Sequence, residues 1–271
     1  MPRWLPVLVA LLAAALVAGC GGDDDGDNGG AAGDLQTVEA GVLTVGSDIP
    51  FPPFEYLEGG EEAGFDVELV NEMASRLGLE TKWVDTPFDT LFTQLAGGRF
   101  DVVASATTIT EERQQTVNFT ESYYAAQQAL IVNSEETPDI ASTDDLGSGD
   151  VVAVQSGTTG EIWARENVPE GVDVRSFPDA PDTYTALEAG NVTAVIFDEP
   201  SALAEAGQRP SLSVVDTIDT GERYGFAVDP NNEELLDALN DALQEMLDDG
   251  TYERIYGDFD LPPGGSILEA D

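Results

Sequence analysis

A chain of 271 residues is long enough for one large or two ordinary domains, and an apolar fraction of 42% suffices for packed cores. Its 53 acidic residues face only 10 basic ones, and the resulting net charge of −43 repels anionic membrane surfaces and argues against binding to a phosphate backbone. With no histidine and a single cysteine, Cys20, the sequence excludes histidine-based triads, thiol hydrolysis, His-ligated zinc and disulfides, so the fold depends on its core.

Met1 to Cys20 has the layout of an export signal. Arg3 is the charged start, Trp4 to Ala18 the apolar stretch, and Val17-Ala18-Gly19-Cys20 a small-residue cleavage site. The site resembles a bacterial lipobox, with Cys20 as the residue to be lipidated. A buried helix is the alternative, but Gly21-Gly22-Asp23-Asp24-Asp25 cannot carry a helix into a core. Gly21 to Gly33 reads as a flexible acidic tether; its aspartates lack the ligand order and closing glutamate of a calcium loop. The expectation is a signal peptide over 1–19 and a lipidated acidic tether over 20–41.

From Val42 onward strand and helix signals alternate, the pattern of an α/β fold. Val42 to Gly46 reads as strand. Asp66 to Leu77 reads as a helix with Val70, Met73, Ala74 and Leu77 on one face and Gly78 as its stop. Pro87 to Ala96 is a second predicted helix, followed by a strand over Asp101 to Ser105. A hydroxyl-rich loop, Ser105-Ala106-Thr107-Thr108, then leads to a helix capped by Thr110, with Glu111, Glu112 and Arg113 in its first turn. Backbone N–H groups, hydroxyls and one guanidinium in a small volume are the parts of a carboxylate receptor. The alternative is a capped helix whose Arg113 pairs with Glu111 or Glu112 in solvent.

Val151 to Val154 is the next strand, running into Gln155-Ser156-Gly157-Thr158-Thr159-Gly160 and a helix; the loop is too short and lacks the lysine of a nucleotide P-loop. Pro181 opens a helix that Gly190 ends, and Ala194 to Phe197 is a strand. This unit echoes the earlier one: Asp182-Thr183 falls on Asp89-Thr90, and Asp198 falls on Ser105. Ligands in open α/β sheets sit at the carboxyl ends of strands, so Ser105 and Asp198 would face one cleft from opposite sides. Tyr224 to Val228 is a further predicted strand, and Glu233 to Leu247 an amphipathic helix explained by core packing.

Taken together, Val45-Gly46-Ser47-Asp48, Phe51-Pro52-Pro53-Phe54-Glu55 and Gly64-Phe65-Asp66-Val67-Glu68-Leu69 resemble the opening of the family 3 extracellular solute-binding proteins, the polar-amino-acid receptors of ABC importers. Thr108 to Arg113, Tyr123-Tyr124, Ser156-Gly157-Thr158, Asp198-Glu199 and Asp249-Gly250-Thr251-Tyr252 continue the pattern in order, over about Val42 to Phe259. The resemblance implies a two-lobed α/β fold of the periplasmic-binding-protein type II, the lobes joined by two crossing strands near Tyr124–Ala129 and Tyr224–Val228. Lobe 1 would be 42–126 plus 222–259, lobe 2 127–221, and 260–271 a C-terminal tail.

By the same resemblance, Arg113 binds an amino acid's α-carboxylate, with Thr108 and the backbone near Thr158 and Thr159. Asp198 binds the α-ammonium, with Ser105 or its carbonyl and Thr108 helping. Phe51 stacks on the ligand, Phe88 forms an apolar wall, and Asp48 and Gln155 meet the side chain. At Ala106, where some relatives have a hydroxyl, only the backbone can serve; at Phe197 certain glutamine receptors have histidine. Phe51 and Phe88 could instead be core aromatics, and Asp48 a turn residue.

The implied function is capture of a free L-amino acid by cleft closure and its delivery to a membrane permease. Asp48, Gln155 and the phenylalanines suit a polar or basic side chain such as arginine, lysine, histidine or glutamine. The expected protein is exported, lipid-anchored at Cys20 on the outer face of the cytoplasmic membrane, monomeric, and without cofactor, metal or catalysis. The alternatives are a cyclohexadienyl- or arogenate-type dehydratase on the same fold and an extracellular amino-acid sensor.

Overall fold

The computed structural model describes Met1 and residues 35–269. The expected signal peptide beyond Met1, Cys20, the tether up to residue 34 and the last two residues of the expected tail lie outside the described residues. No helix among the described residues is long and apolar enough to cross a membrane.

Strand β1 (Val42–Ser47) buries Leu43 and Val45 completely. A hairpin of β2 (Tyr56–Glu58) and β3 (Glu61–Ala63) leads into α1 (Phe65–Arg76). The turn into α1 requires glycine: Gly64 has φ 132°, and a Cβ there would lie 2.1 Å from the Phe54 carbonyl oxygen. Asp66 and Glu68 in the first turn and Arg76 in the last complement the helix dipole, while Leu69, Val70 and Met73 bury its apolar face. Strand β4 (Glu80–Asp85), a 3₁₀ turn at Phe88–Thr90, α2 (Leu91–Ala96) and β5 (Val102–Val103) follow.

The strand expected over Asp101 to Ser105 is thus only two residues long. The Ala104 N–H still reaches the Gly46 carbonyl at 3.1 Å, but Ala106 then turns into the left-handed region at φ 44° and ends the pairing. The helix expected at Thr110 is a single 3₁₀ turn, Arg113–Gln115. The Thr110 hydroxyl accepts the Arg113 N–H at 3.1 Å as a cap should, but Val117 is fully buried and β6 (Asn118–Phe119) rejoins the sheet, leaving no length for a helix.

Strand β7 (Tyr124–Asn133) opens the second sheet. It continues through β8 (Val151–Gln155), α3 (Thr159–Asn167), β9 (Asp173–Phe177), α4 (Ala180–Glu188), β10 (Ala194–Asp198), α5 (Glu199–Gln208) and β11 (Leu212–Tyr224). The chain then returns to the first sheet with β12 (Ala227–Val228) and finishes with α6 (Glu233–Asp248) and α7 (Thr251–Gly257). The single strand expected over Tyr224 to Val228 is therefore broken. At the break the Gly225 N–H leaves the ladder for the Thr107 carbonyl at 3.1 Å.

One sheet has the order β4-β1-β5-β12-β6 and the other β11-β7-β10-β8-β9. Strand β1 runs parallel to β4 and β5, and β8 parallel to β9 and β10; β7 is antiparallel to both β10 and β11. The chain therefore passes between the sheets twice, before β7 and after β11, giving two α/β lobes. Beneath the crossings lies an aromatic cluster in which Tyr123 stacks on Phe226 at 4.2 Å and Tyr124 on Tyr224 at 5.4 Å. The Tyr252 hydroxyl donates to the Tyr123 carbonyl at 2.8 Å, tying α7 to the same hub.

Candidate functional site

The carboxyl ends of β1, β5, β8 and β10 converge on one pocket. All eleven residues singled out from the sequence line it: Asp48, Phe51, Phe88, Ser105, Ala106, Thr108, Arg113, Gln155, Thr158, Thr159 and Asp198. Phe197, noted from the sequence as the position where certain glutamine receptors have histidine, lines it as well, as do Gln128, Gly160 and Ile196, to which sequence reasoning gave no such place.

Arg113 is held by neutral partners. Its Nη1 donates to the Thr108 carbonyl at 2.8 Å and its Nη2 to the Gly157 carbonyl, across the cleft, at 3.1 Å. The guanidinium lies over Phe88 and Phe92, 5.2 and 4.8 Å from the ring centres. Phe88 therefore belongs both to the pocket wall and to the core behind it, where it packs with Leu91 and Val103. Neither Glu111 nor Glu112 pairs with Arg113. Among the described residues Arg76, Lys82, Arg165, Arg209 and Arg254 have ion-pair partners, whereas Arg113, like Arg99, Arg175 and Arg223, has none. Burial lowers its guanidinium to about 10, although Asp198 and Glu222 pull the other way. A largely buried cation without a counter-ion is costly for a fold to keep, and a bound anion would offset that cost.

Asp198 closes β10 on the opposite side. One carboxylate oxygen accepts from the Gln128 amide and the other from the Tyr224 hydroxyl. Burial raises it from 3.8 to about 7, with Glu222 adding to the rise and both hydrogen bonds and Arg113 opposing it. Asp48, at the end of β1, is raised to about 6 by burial, against a 2.5 Å hydrogen bond from Gln155 Nε2; Asp85 and Asp179 push it further up. This end of the pocket is accordingly acidic.

The loop between the two charged ends is braced from behind by carboxyl groups. The Ser105 hydroxyl donates to Glu55 at 3.1 Å and accepts the Asp48 N–H at 3.0 Å, so much of its capacity is spent inside the lobe. The Ala106 N–H donates to Asp66 at 2.9 Å, and Tyr123 donates to the same carboxyl oxygen at 2.7 Å. These bonds hold Ala106 at its positive φ, a strain of roughly 1–2 kcal/mol for a residue with a Cβ. Burial raises Asp66 to about 7 and Glu55 well above its usual range, Asp66 adding to the latter.

Across the cleft, Thr158 caps α3. Its hydroxyl accepts the Glu161 N–H at 3.1 Å and donates to the Gln155 carbonyl at 2.8 Å. The first N–H groups of α3 lie beside the pocket near Arg113, where the helix dipole favours negative charge. On the apolar side Phe51 meets Phe197 at 5.4 Å between ring centres. The halves of the molecule touch at Gly157: a Cβ there would stand 3.2 Å from both Cα and Cβ of Asp89, and its φ is 79°.

The raised carboxyls fix the sign of the pH dependence of stability. Asp48, Asp66 and Asp198 keep protons in the folded protein at pH values where the unfolded chain, near 3.8, has released them. Their stabilising contribution is complete below the unfolded value and is lost as pH rises through about 6 to 7. Ligand-free protein is expected to melt at a lower temperature at pH 8 than at pH 5 by scanning calorimetry; the reverse order would contradict these environments.

Comparison with known proteins bears on this geometry. The profile of the bacterial extracellular solute-binding proteins, family 3, matches residues 43–259. The L-cystine-binding protein TcyJ of Escherichia coli (strain K12) is 35% identical over 251 residues, covering 92% of this chain and 92% of the relative. The histidine-binding periplasmic protein of Salmonella typhimurium is 34% identical over 237 residues, 82% of this chain and 90% of the relative. Among solved structures, an ancestral arginine-binding protein bound to arginine superposes with a TM-score of 0.77 at 38% identity, covering 81% of this chain and 98% of that one. The fold is thus the two-lobed type II fold of the amino-acid-binding proteins, and these relatives are named as binding proteins, not enzymes. The chain belongs to the bacterial extracellular solute-binding proteins of family 3.

Proposed function

We propose that this protein captures a free L-amino acid with a polar or basic side chain between its lobes and delivers it to the permease of an ABC importer. The observation that carries the reading is the pairing of opposite charges across one pocket: Arg113 without a counter-ion on one side, Asp198 on the other. An α-carboxylate against Arg113 and the first turn of α3 would complete the buried cation, and an α-ammonium would complete Asp198. Because the two groups come from different lobes, the ligand bridges them and favours the closed form by its differential affinity. Asp48, with Asp85 and Asp179 behind it, gives the far end a negative field that suits a cationic side chain such as arginine, lysine or histidine.

In this reading the lobes are 42–126 with 222–259, and 127–221. The mature chain is exported, anchored through a lipid on Cys20, and works as a monomer. Catalysis is not part of it: dehydratase substrates of the prephenate type carry two carboxylates, and among the described residues Arg113 is the one basic residue lining the pocket. The test is calorimetric titration of the full chain with the common L-amino acids, beside incubation with prephenate. Saturable binding of a basic or polar amino acid and unchanged prephenate are expected. Binding of none, or turnover of prephenate, would refute the proposal.

A further inference from the structure

A carboxylate outside the pocket lining draws together both sides of the cleft. Glu222 lies near the end of β11, just after the register of its pairing with β7 shifts between Ile218 and Glu222. Its Oε2 accepts the Thr108 hydroxyl at 2.6 Å and the Thr159 hydroxyl at 2.8 Å. Its Oε1 accepts the Gln128 amide at 3.2 Å and the Thr220 hydroxyl at 3.0 Å. Thr108 sits on the loop after β5 and Thr159 at the first turn of α3, so one oxygen joins the two lobes. Thr108 is itself strapped to β11: the Ile109 N–H donates to the Arg223 carbonyl at 2.8 Å and the Gly225 N–H to the Thr107 carbonyl at 3.1 Å. Of Glu222's partners, the Thr159 hydroxyl is the one carried by α3 itself, so a swing of α3 away from lobe 1 would break that bond.

We infer that Glu222 is a positioning residue that clamps the closed form, aiming the Thr108 and Thr159 hydroxyls and the Gln128 amide without touching the ligand. The inference deepens the function proposed above and rests on it for its ligand readout. Gln128 donates from the same amide nitrogen to Asp198 and to Glu222, so the clamp also fixes the group facing the α-ammonium. A charge-assisted acceptor shared by two hydroxyls holds its geometry more firmly than either neutral bond alone.

The probe is L-arginine, followed by stopped-flow fluorescence of the tryptophans in the full chain. Glu222→Ala is expected to raise the dissociation rate about tenfold or more while leaving association within about threefold, because loss of a closed-state contact acts on release. Thr159→Val should reproduce part of the loss, and the double variant should lose less than the product of the two, since the residues share one bond. Unchanged release, or tighter binding, would overturn the clamp. A readout free of ligand separates this inference from the function. Small-angle scattering of the ligand-free full chain should give a larger radius of gyration for Glu222→Ala than for wild type, with far-UV circular dichroism confirming that both are folded. Identical profiles overturn the clamp whatever L-arginine does. A wild type that binds no amino acid, with the scattering difference intact, defeats the proposed function and leaves the clamp standing.

Discussion

Replacing Arg113 by alanine is expected to weaken amino-acid binding by about 2–5 kcal/mol in calorimetric titration, because the ligand's carboxylate would then enter a largely buried site without its counter-charge. The fold should survive, since the side chain's hydrogen bonds go only to the Thr108 and Gly157 carbonyls and no ion pair is lost. Removing a largely buried unpaired cation should even leave the ligand-free protein as stable or slightly more so. That opposition, weaker binding with unimpaired melting, distinguishes a ligand-receiving charge from a structural one. Arg113→Lys should recover only part of the affinity, because an ammonium lacks the planar fork. An Arg113→Ala variant that binds as tightly as wild type would remove the central element of the proposal.

Asp198→Asn is expected to cost roughly 2–5 kcal/mol of affinity and to flatten the dependence of binding on pH. In the ligand-free protein Asp198 stands at about 7 and Asp48 at about 6. An ammonium or guanidinium favours their ionised forms, so binding must expel protons wherever these groups are still protonated. Affinity for a basic amino acid should therefore rise as pH climbs from 5 through about 7 and level off near 8. Proton release at pH 6 would appear as a dependence of the measured heat on the buffer's ionisation enthalpy. The asparagine variant retains only the part that belongs to Asp48. Affinity independent of pH in the wild type would show that Asp198 does not meet a cation.

The sequence was most readable where one residue's chemistry and its neighbours agreed. Asp198 closes an apolar strand and precedes a proline-led helix, so its place at a carboxyl end followed from the pattern alone. The loop at Ser105 to Thr108 was legible for the same reason, although the helix drawn after it was not. Thr110 caps a turn whether or not a helix follows, and it was the burial of Val117 and the return to the sheet that cut the turn short. Glu222 left no signal. On a strand written Asp216-Thr217-Ile218-Asp219-Thr220-Gly221-Glu222-Arg223, one more acid reads as a solvated edge, and only the irregular pairing with β7 directs it inward. Gln128 was hidden likewise within an apolar run, where a fully buried amide acquires meaning only from the two carboxylates it serves.

The two sides of the cleft meet at Gly157. Backbone meets backbone there: its carbonyl holds the guanidinium while its bare α-carbon rests against Asp89. A single methyl group at that point would stand 3.2 Å from Asp89, tighter than ordinary van der Waals contact, and Asp89 would have to give way by a few tenths of an ångström. The closeness of this seam thus depends on an atom that is absent.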